Sequence, residues 1–211
     1  YGQLGLGNTS NLGDGSNEMG DNLPAVDLGA GKTARAISTG DRHTCAILDN
    51  ESVKCWGSNA SGQLGLGHTN NRGDASGQMG DNLTAVDLGN GRTATAISAG
   101  DRHTCAILDN SSIKCWGLND EGQLGQNTDD SRGDEPDEMG DNLPAIDLKS
   151  TGRTAASITT GDKHTCVMDD NASIKCWGYN ASGQLGLGHA NNRGDDSNQM
   201  GENLTTVDLG S

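Results

Sequence analysis

The chain has little with which to build an ordinary hydrophobic core. Its 211 residues contain no Phe, two Tyr and three Trp, and only 31% of them are hydrophobic. Low hydrophobicity combined with a formal net charge of −15 is typical of disorder, because too little apolar surface is buried to offset chain entropy. Repetition argues against disorder here, since weak units become stable when each stacks on the next and is cross-linked.

Basic residues are also scarce, with 14 Lys and Arg against 29 Asp and Glu. Binding to nucleic acid or to an anionic membrane surface requires clustered positive charge, and the sequence has no such cluster. It also lacks an apolar run of about 18 residues, the length that a membrane-spanning helix needs. We therefore expect a protein partner, with copies of the chain itself as the first candidate, and neither nucleic acid nor membrane insertion.

A repeat of about 60 residues runs through the whole chain. The string Gly-Gln-Leu-Gly begins at positions 2, 62, 122 and 183, and Cys-Trp-Gly begins at positions 55, 115 and 176. One extra residue falls between Asp147 and Arg153, in a predicted turn. The repeats divide the chain into a partial first repeat at 1–57, repeats at 58–117 and 118–178, and a C-terminal half repeat at 179–211.

Each repeat is predicted to form four short antiparallel strands and one long loop. In the second repeat the predicted strands are 85–88, 93–98, 103–108 and 112–116, and the loop is 117–143. A Gly-Asn-Gly turn at 89–91 is a strong hairpin signal. Apolar residues alternate along these segments instead of recurring every three or four residues, which predicts an all-β fold.

The cysteines predict one disulfide inside each repeat. If Cys45 lies opposite Cys55 in an antiparallel hairpin, Ile47 lies opposite Val53, and directly opposed side chains are close enough for a disulfide. A zinc site is the alternative, because His43 lies on the same face, but each repeat offers only three ligands. Disulfides favour an oxidising, extracellular or cell-surface location. The predicted pairs are Cys45–Cys55, Cys105–Cys115 and Cys166–Cys176.

Two segments carry a family resemblance. Residues 96–108 read Ala-Ile-Ser-Ala-Gly-Asp-Arg-His-Thr-Cys-Ala-Ile-Leu, and residues 113–125 read Ile-Lys-Cys-Trp-Gly-Leu-Asn-Asp-Glu-Gly-Gln-Leu-Gly. This pattern resembles the repeat of the regulator of chromosome condensation family. The resemblance implies a seven-bladed β-propeller with four strands per blade. Seven blades would take about 420 residues at this period, so about three and a half repeats cannot close the ring alone.

The resemblance does not imply a single function. The Cys pairs and acidic loops resemble the secreted bacterial branch of the family. The founding member is a nuclear guanine-nucleotide exchange factor, and this acidic, cystine-bearing chain departs from it. A bacterial member inhibits β-lactamases through loops on one propeller face. Fold-level analogy cannot choose among these functions.

The loops offer candidate ligands for calcium but no catalytic constellation. Calcium takes six to eight oxygen ligands, and the loops are rich in carboxylates, although no standard ligand spacing is present. A solvated acidic rim is the alternative. We expect no enzymatic activity, because neither a nucleophile–base pair nor a phosphate loop is present. The candidate calcium ligands are Asp14, Asp21, Asp74, Asp81, Asp134, Asp141 and Asp195.

Other repeated residues are expected to be structural. His43, His103 and His164 are predicted hydrogen-bonding residues, and the three Arg-Gly-Asp strings, which begin at 72, 132 and 193, are predicted turns and not adhesion signals. The tryptophans are predicted to pack between adjacent blades. They are Trp56, Trp116 and Trp177.

The C-terminal segment 206–209, with Val207 and Leu209, is predicted to be an unpaired strand available for assembly. The leading hypothesis is therefore a secreted structural or protein-interaction protein that assembles by strand complementation into a ring or filament. The alternative is a soluble binding or inhibitor module that uses the acidic loops of one propeller face.

Overall fold

A computed structural model describes residues 1–148 and 154–210. Within these ranges nine strands form three separate antiparallel sheets of three strands each, and no helix is long and apolar enough to cross a membrane. The all-β class is confirmed. The turn predicted to hold the extra residue of the third repeat falls on residues 149–153, which lie outside the described residues.

The three sheets have the same order and nearly the same length. The first contains β1 (Ala34–Thr39), β2 (His43–Leu48) and β3 (Val53–Gly57); the second contains β4 (Ala94–Ala99), β5 (His103–Leu108) and β6 (Ile113–Gly117); the third contains β7 (Ala155–Thr160), β8 (His164–Asp169) and β9 (Ile174–Gly178). Short 3₁₀ turns at Gly20–Asn22, Gly80–Asn82, Gly140–Asn142 and Gly201–Asn203 interrupt the long loops.

The hairpin register is the one that the alternation predicts. In the first sheet Cys45 lies opposite Cys55 and Ile47 lies opposite Val53. The two Cys residues are joined by a disulfide with Cα atoms 4.1 Å apart, and the same bond forms in the other two sheets. The thiols are therefore consumed by cystines, which removes the zinc alternative.

The strand predicted at 85–88 is not regular β-structure. Residues 85–88 form no strand; Val86 N–H donates to Val53 O at 2.8 Å, and Asp87 O accepts from Gly140 N–H at 3.1 Å. The segment thus lies against β3 of the preceding sheet, not beside the strands that follow it. Ile146 and Val207 make the equivalent bonds to Ile113 and Ile174. The prediction that segment 206–209 is unpaired is wrong for this reason.

The sheets stack face to face along the chain. The core between the first and second sheets includes Ile47 and Cys55 from one side and Leu108 and Trp116 from the other. The second and third sheets repeat this arrangement with Ile107, Cys115, Val167 and Trp177. Each sheet is too small to be stable alone, so stacking supplies the burial that the composition otherwise lacks.

Candidate functional site: the sheet junctions, the end faces and the loop face

A buried hydrogen-bond chain joins the first two sheets. The hydroxyl of Thr104 donates to the backbone oxygen of Gln63 at 2.9 Å, so it must accept from His43, whose Nε2 lies 2.9 Å away. This geometry places the imidazole proton on Nε2. Trp116 Nε1–H donates to the same Gln63 oxygen at 3.0 Å. At the next junction the corresponding residues are His103, Thr165, Gln123 and Trp177.

Burial keeps these histidines neutral. It lowers the pKa of His43 to about 4 and the pKa of His103 to about 3. A neutral imidazole with its proton on Nε2 suits a single hydroxyl acceptor, whereas a charged ring would need partners for both nitrogens. Within the described residues, Nδ1 of each ring has no hydrogen-bond partner.

The stack of sheets ends in two faces. Each face carries one of the two residue types, His or Thr, that bond to each other at the internal junctions. We call the first the leading face, defined by Ile37 and Thr44, and the second the trailing face, defined by His164, Met168 and Leu209. Ile37 is 65% exposed, while its counterpart Ile97 packs against the first junction. Within the described residues, Thr44 and His164 are the two members of these His–Thr pairs that lack their partner: Thr44 is 7% exposed, against 0% for Thr104, and His164 is half-buried.

The trailing face exposes apolar residues whose counterparts are buried. Met168 is 38% exposed against 3% for Ile107, and Leu209 is 76% exposed against 4% for Leu88. Val207, the other predicted assembly residue, is half-buried against β9.

The Arg-Gly-Asp strings are built into the fold. Arg72 exchanges backbone hydrogen bonds with Gly57 at 2.7 and 3.1 Å, and Gly73 is buried. The side-chain oxygen of Gln78 then accepts from the N–H groups of Asp74 and Ala75. The strings are therefore turns, as the sequence predicts, and not exposed adhesion loops.

The residue that caps each of these turns was missed by sequence reasoning. Glu18, Gln78, Glu138 and Gln199 occupy one repeat position and accept two or three backbone N–H groups each. These bonds lower the pKa of Glu18. Glu and Gln alternate at this position from repeat to repeat. Because both carry a side-chain oxygen at the same place, this alternation indicates a hydrogen-bond acceptor.

The candidate calcium ligands do not converge. Among the described residues, no three Asp, Glu, His or Cys side chains lie close enough together to hold a metal ion. Asp81 and Asp141 instead accept backbone N–H groups from Ala30 and Asn90, which belong to the preceding repeat. Asp134 lies beside Glu138, and its pKa is raised by burial and by that carboxylate. The remaining candidates, Asp14, Asp21, Asp74 and Asp195, are exposed or half-buried in their loops.

A lysine supplies positive charge beside these loops. Lys114 Nζ donates to Leu88 O at 3.0 Å and to Gly140 O at 2.7 Å, and the nearby Asp141 and Asp87 partly offset the lowering of its pKa by burial. Lys54 and Lys175 make the same pair of bonds in their repeats. The Lys114 ammonium thus ties segment 85–88 to the 3₁₀ turn at Gly140–Asn142.

Two grooves open on the loop side where successive repeats meet. The first, about 660 Å³, is lined by Leu6, Gly7, Ala25 and Met79 among others. The second, about 590 Å³, is lined by their counterparts Leu66, Gly67, Ala85 and Met139. Both therefore have an apolar floor at the same repeat position.

The Regulator of chromosome condensation (RCC1) repeat matches this chain at residues 34–63, 94–123 and 155–184, and a second form of the same repeat matches residues 52–107 and 115–168. The matched ranges cover each sheet and the turn that follows it. The chain belongs to the RCC1 repeat family.

Curated RCC1-repeat relatives are longer than this chain. It is 28% identical over 190 residues to the ultraviolet-B receptor UVR8 of Arabidopsis thaliana, covering 89% of this chain and 37% of that protein. It is 24% identical to the X-linked retinitis pigmentosa GTPase regulator of Canis lupus familiaris, covering 84% of this chain and 16% of that protein. The chain thus spans less than half of either relative.

Solved RCC1-type structures share the fold. Human WBSCR16 superposes with a TM-score of 0.62 at 18% identity, covering 86% of this chain and 42% of that one. Prp20p of Saccharomyces cerevisiae gives a TM-score of 0.58 at 19% identity, with 83% and 38% coverage. Three stacked sheets of the RCC1 type are therefore an arc of propeller blades.

Proposed function

We propose that the chain is a protein-interaction module whose end faces bind further RCC1-type repeats, and that a second copy of the chain supplies them. The carrying observation is the complementarity of the two faces: Thr44 presents a hydroxyl and His164 an imidazole, the two groups that bond at each internal junction. Thr44 already donates to Gln3 O at 3.0 Å, which leaves its oxygen able to accept from a histidine.

Apolar area on both faces supports the same proposal. The leading face exposes Ile37, and the trailing face exposes Met168 and Leu209. Residues at the equivalent positions of the other repeats are more deeply buried at the junctions. Burying about 100 Å² of such surface contributes about 2.5 kcal/mol before the cost of association is subtracted. Contact of a leading face with a trailing face is heterologous, so it gives a closed ring or an open filament.

The two ends of the chain carry the same element, which specifies how the faces meet. Residues 2–7 and 183–188 have the identical sequence Gly-Gln-Leu-Gly-Leu-Gly, and Val26 and Leu28 correspond to Val207 and Leu209. When two copies meet head to tail, the trailing segment 206–209 of one copy, which lies against β9, takes the place of the leading segment of the other copy, so Leu209 becomes buried in the contact. The assembly is therefore a segment exchange and not a simple docking of flat surfaces.

Light scattering across a range of protein concentrations tests this proposal. The 21.7 kDa chain is expected to increase in mass with concentration. Leu209→Asp and Ile37→Asp should each reduce the increase, because each places a charge in one face. Asn90→Asp, in an exposed turn, is the charge-matched control and should behave as the parent. A concentration-independent 21.7 kDa mass for the parent would reject self-assembly.

We also propose that the protein works outside the cytosol. The three cystines support this, because such bonds persist in oxidising compartments. Binding of Gsp1p and histones is described for Prp20p and supports only the coarser statement that RCC1-type repeats contact proteins. Fractionation of the source cells with alkylation of free thiols tests the location; reduced protein in the cytosol would reject it.

A further inference from the structure

The third repeat fills its own loop groove with an asparagine side chain. Asn127 Oδ1 accepts the N–H of Gln199 at 2.9 Å and the N–H of Met200 at 3.0 Å. Two successive backbone N–H groups that point the same way after a turn form a small concave donor site for one oxygen. The junction between the third and fourth repeats therefore shows what this donor pair binds.

The two preceding junctions have the same donors without the asparagine. Glycine stands at its position, as Gly67 with φ +68° and as Gly7 with φ +70°, and Asn127 has φ +58°. Within the described residues, the N–H groups of Glu138 and Met139 meet no acceptor. Both grooves are lined by the glycine and by the methionine that is the second residue of the donor pair.

We propose that these two grooves bind the side-chain amide of an Asn or Gln residue from a partner protein. The amide oxygen would take the position of Asn127 Oδ1, and the aliphatic part of the partner side chain would lie on Leu66 and Met139 in the second groove. Each hydrogen bond to such paired donors contributes modestly on its own, so recognition gains from repetition along the loop face.

Charge selects a neutral amide over a carboxylate. Asp87, Asp137 and Asp141 line the second groove, against one guanidinium, that of Arg72, which is already bonded to His68 Nε2 at 2.8 Å. A carboxylate would gain the same two hydrogen bonds but would face three negative charges, which Arg72 and the Lys114 ammonium near Asp87 and Asp141 only partly balance. The third repeat itself uses an amide at this position.

The second groove is lined by no residue of the leading or trailing segments, so the inference holds or fails there separately from self-assembly. Residue-resolved amide NMR spectra test it, with N-acetyl-asparagine methylamide as the probe and N-acetyl-alanine methylamide as its control. The asparagine probe should shift the resonances of Met79, Glu138 and Met139 in a saturable way, and the alanine probe should not.

Two matched variants exchange the filled and open states. In Gly67→Asn the new Cβ would lie 3.3 Å from Glu135 O, its nearest neighbour, and Asn tolerates positive φ. This variant should lose the response of Glu138 and Met139 while Met79 still responds. Asn127→Gly should make Gln199 and Met200 respond to the probe for the first time.

Three results would overturn the inference. Equal shifts with the alanine probe would show that the side-chain amide is not recognised. An unchanged response of Glu138 and Met139 in folded Gly67→Asn would show that the donor pair is not the site. If that variant does not fold, a failure of Asn127→Gly to gain a response decides against the inference in the same way.

Discussion

The hydroxyl of Thr104 is the central atom of the first sheet junction, and replacing it with a methyl group tests how the sheets are joined. Thr104→Val keeps the shape of the side chain. It removes the bond to Gln63 O and leaves the His43 Nε2–H without an acceptor. His43 is 1% exposed, so water cannot easily replace the lost partner.

The cost follows from these two losses. An unpaired buried donor costs about 1–3 kcal/mol, and loss of one ordinary hydrogen bond costs about 1 kcal/mol. Gln63 O still accepts from Trp116, so it adds no further penalty. We expect Thr104→Val to lower the free energy of unfolding by about 2–4 kcal/mol.

The chain supplies its own control. Thr44 occupies the same repeat position on the leading face, donates to Gln3 O, and bonds no histidine. Thr44→Val should therefore cost only about 0.5–1.5 kcal/mol. Urea unfolding followed by tryptophan fluorescence measures both variants. Equal losses of stability in the two variants would refute the claim that the His–Thr bond joins the sheets.

Other predictions concern the remaining buried polar groups and the cystines. Gln126→Leu should raise the free energy of unfolding by about 1–2 kcal/mol, because both amide atoms of Gln126 are buried without hydrogen-bond partners in the described chain. At the equivalent position Leu66 packs against the hydrophobic core, so a leucine fits there. The urea midpoint of unfolding measures the change. Burial lowers the pKa values of His43 and His103, so the unfolded chain binds protons that the folded chain does not. Stability should be constant above about pH 7 and fall as the pH drops from 6.5 toward 4, with a weaker dependence in His103→Gln, and acid titration of the unfolding free energy checks the sign. Cys166–Cys176 should be reduced first under native conditions, because Cys166 is half-buried while Cys45 and Cys105 are fully buried; differential alkylation and mass spectrometry identify the order, and reduction of all three bonds at one rate would contradict it.

The sheet hairpins could be predicted from the sequence because their determinants are local. Alternation with a period of two places Cys45 and Val53 on one face, and the repeat selects one disulfide pairing out of many. The boundaries of β5 and β6 follow from the turns at Gly100 and Asn110. The same local alternation also predicts that Trp116 packs between adjacent sheets.

The position of segment 85–88 and the shape of the grooves depend on contacts between repeats, and local sequence patterns do not encode those contacts. Segment 85–88 has strand-like residues whichever sheet it joins, so its bond to Val53 of the preceding sheet could not be deduced. The pairing of Asn127 with Gln199 spans two loops. Of the acids that suggested calcium, Asp81 and Asp141 accept backbone N–H groups of the preceding repeat, and Lys114 lies near Asp141. Calcium binding and the repeat boundaries stay predictions of the sequence.

An equimolar mixture of Leu209→Asp and Ile37→Asp tests the central claim most directly. The first variant keeps an intact leading face and the second keeps an intact trailing face, so each lacks a partner alone but offers one to the other. Light scattering of the mixture should give a mass close to twice 21.7 kDa, with neither variant exceeding the monomer mass on its own. A mixture that stays at the monomer mass would contradict head-to-tail binding of the two end faces.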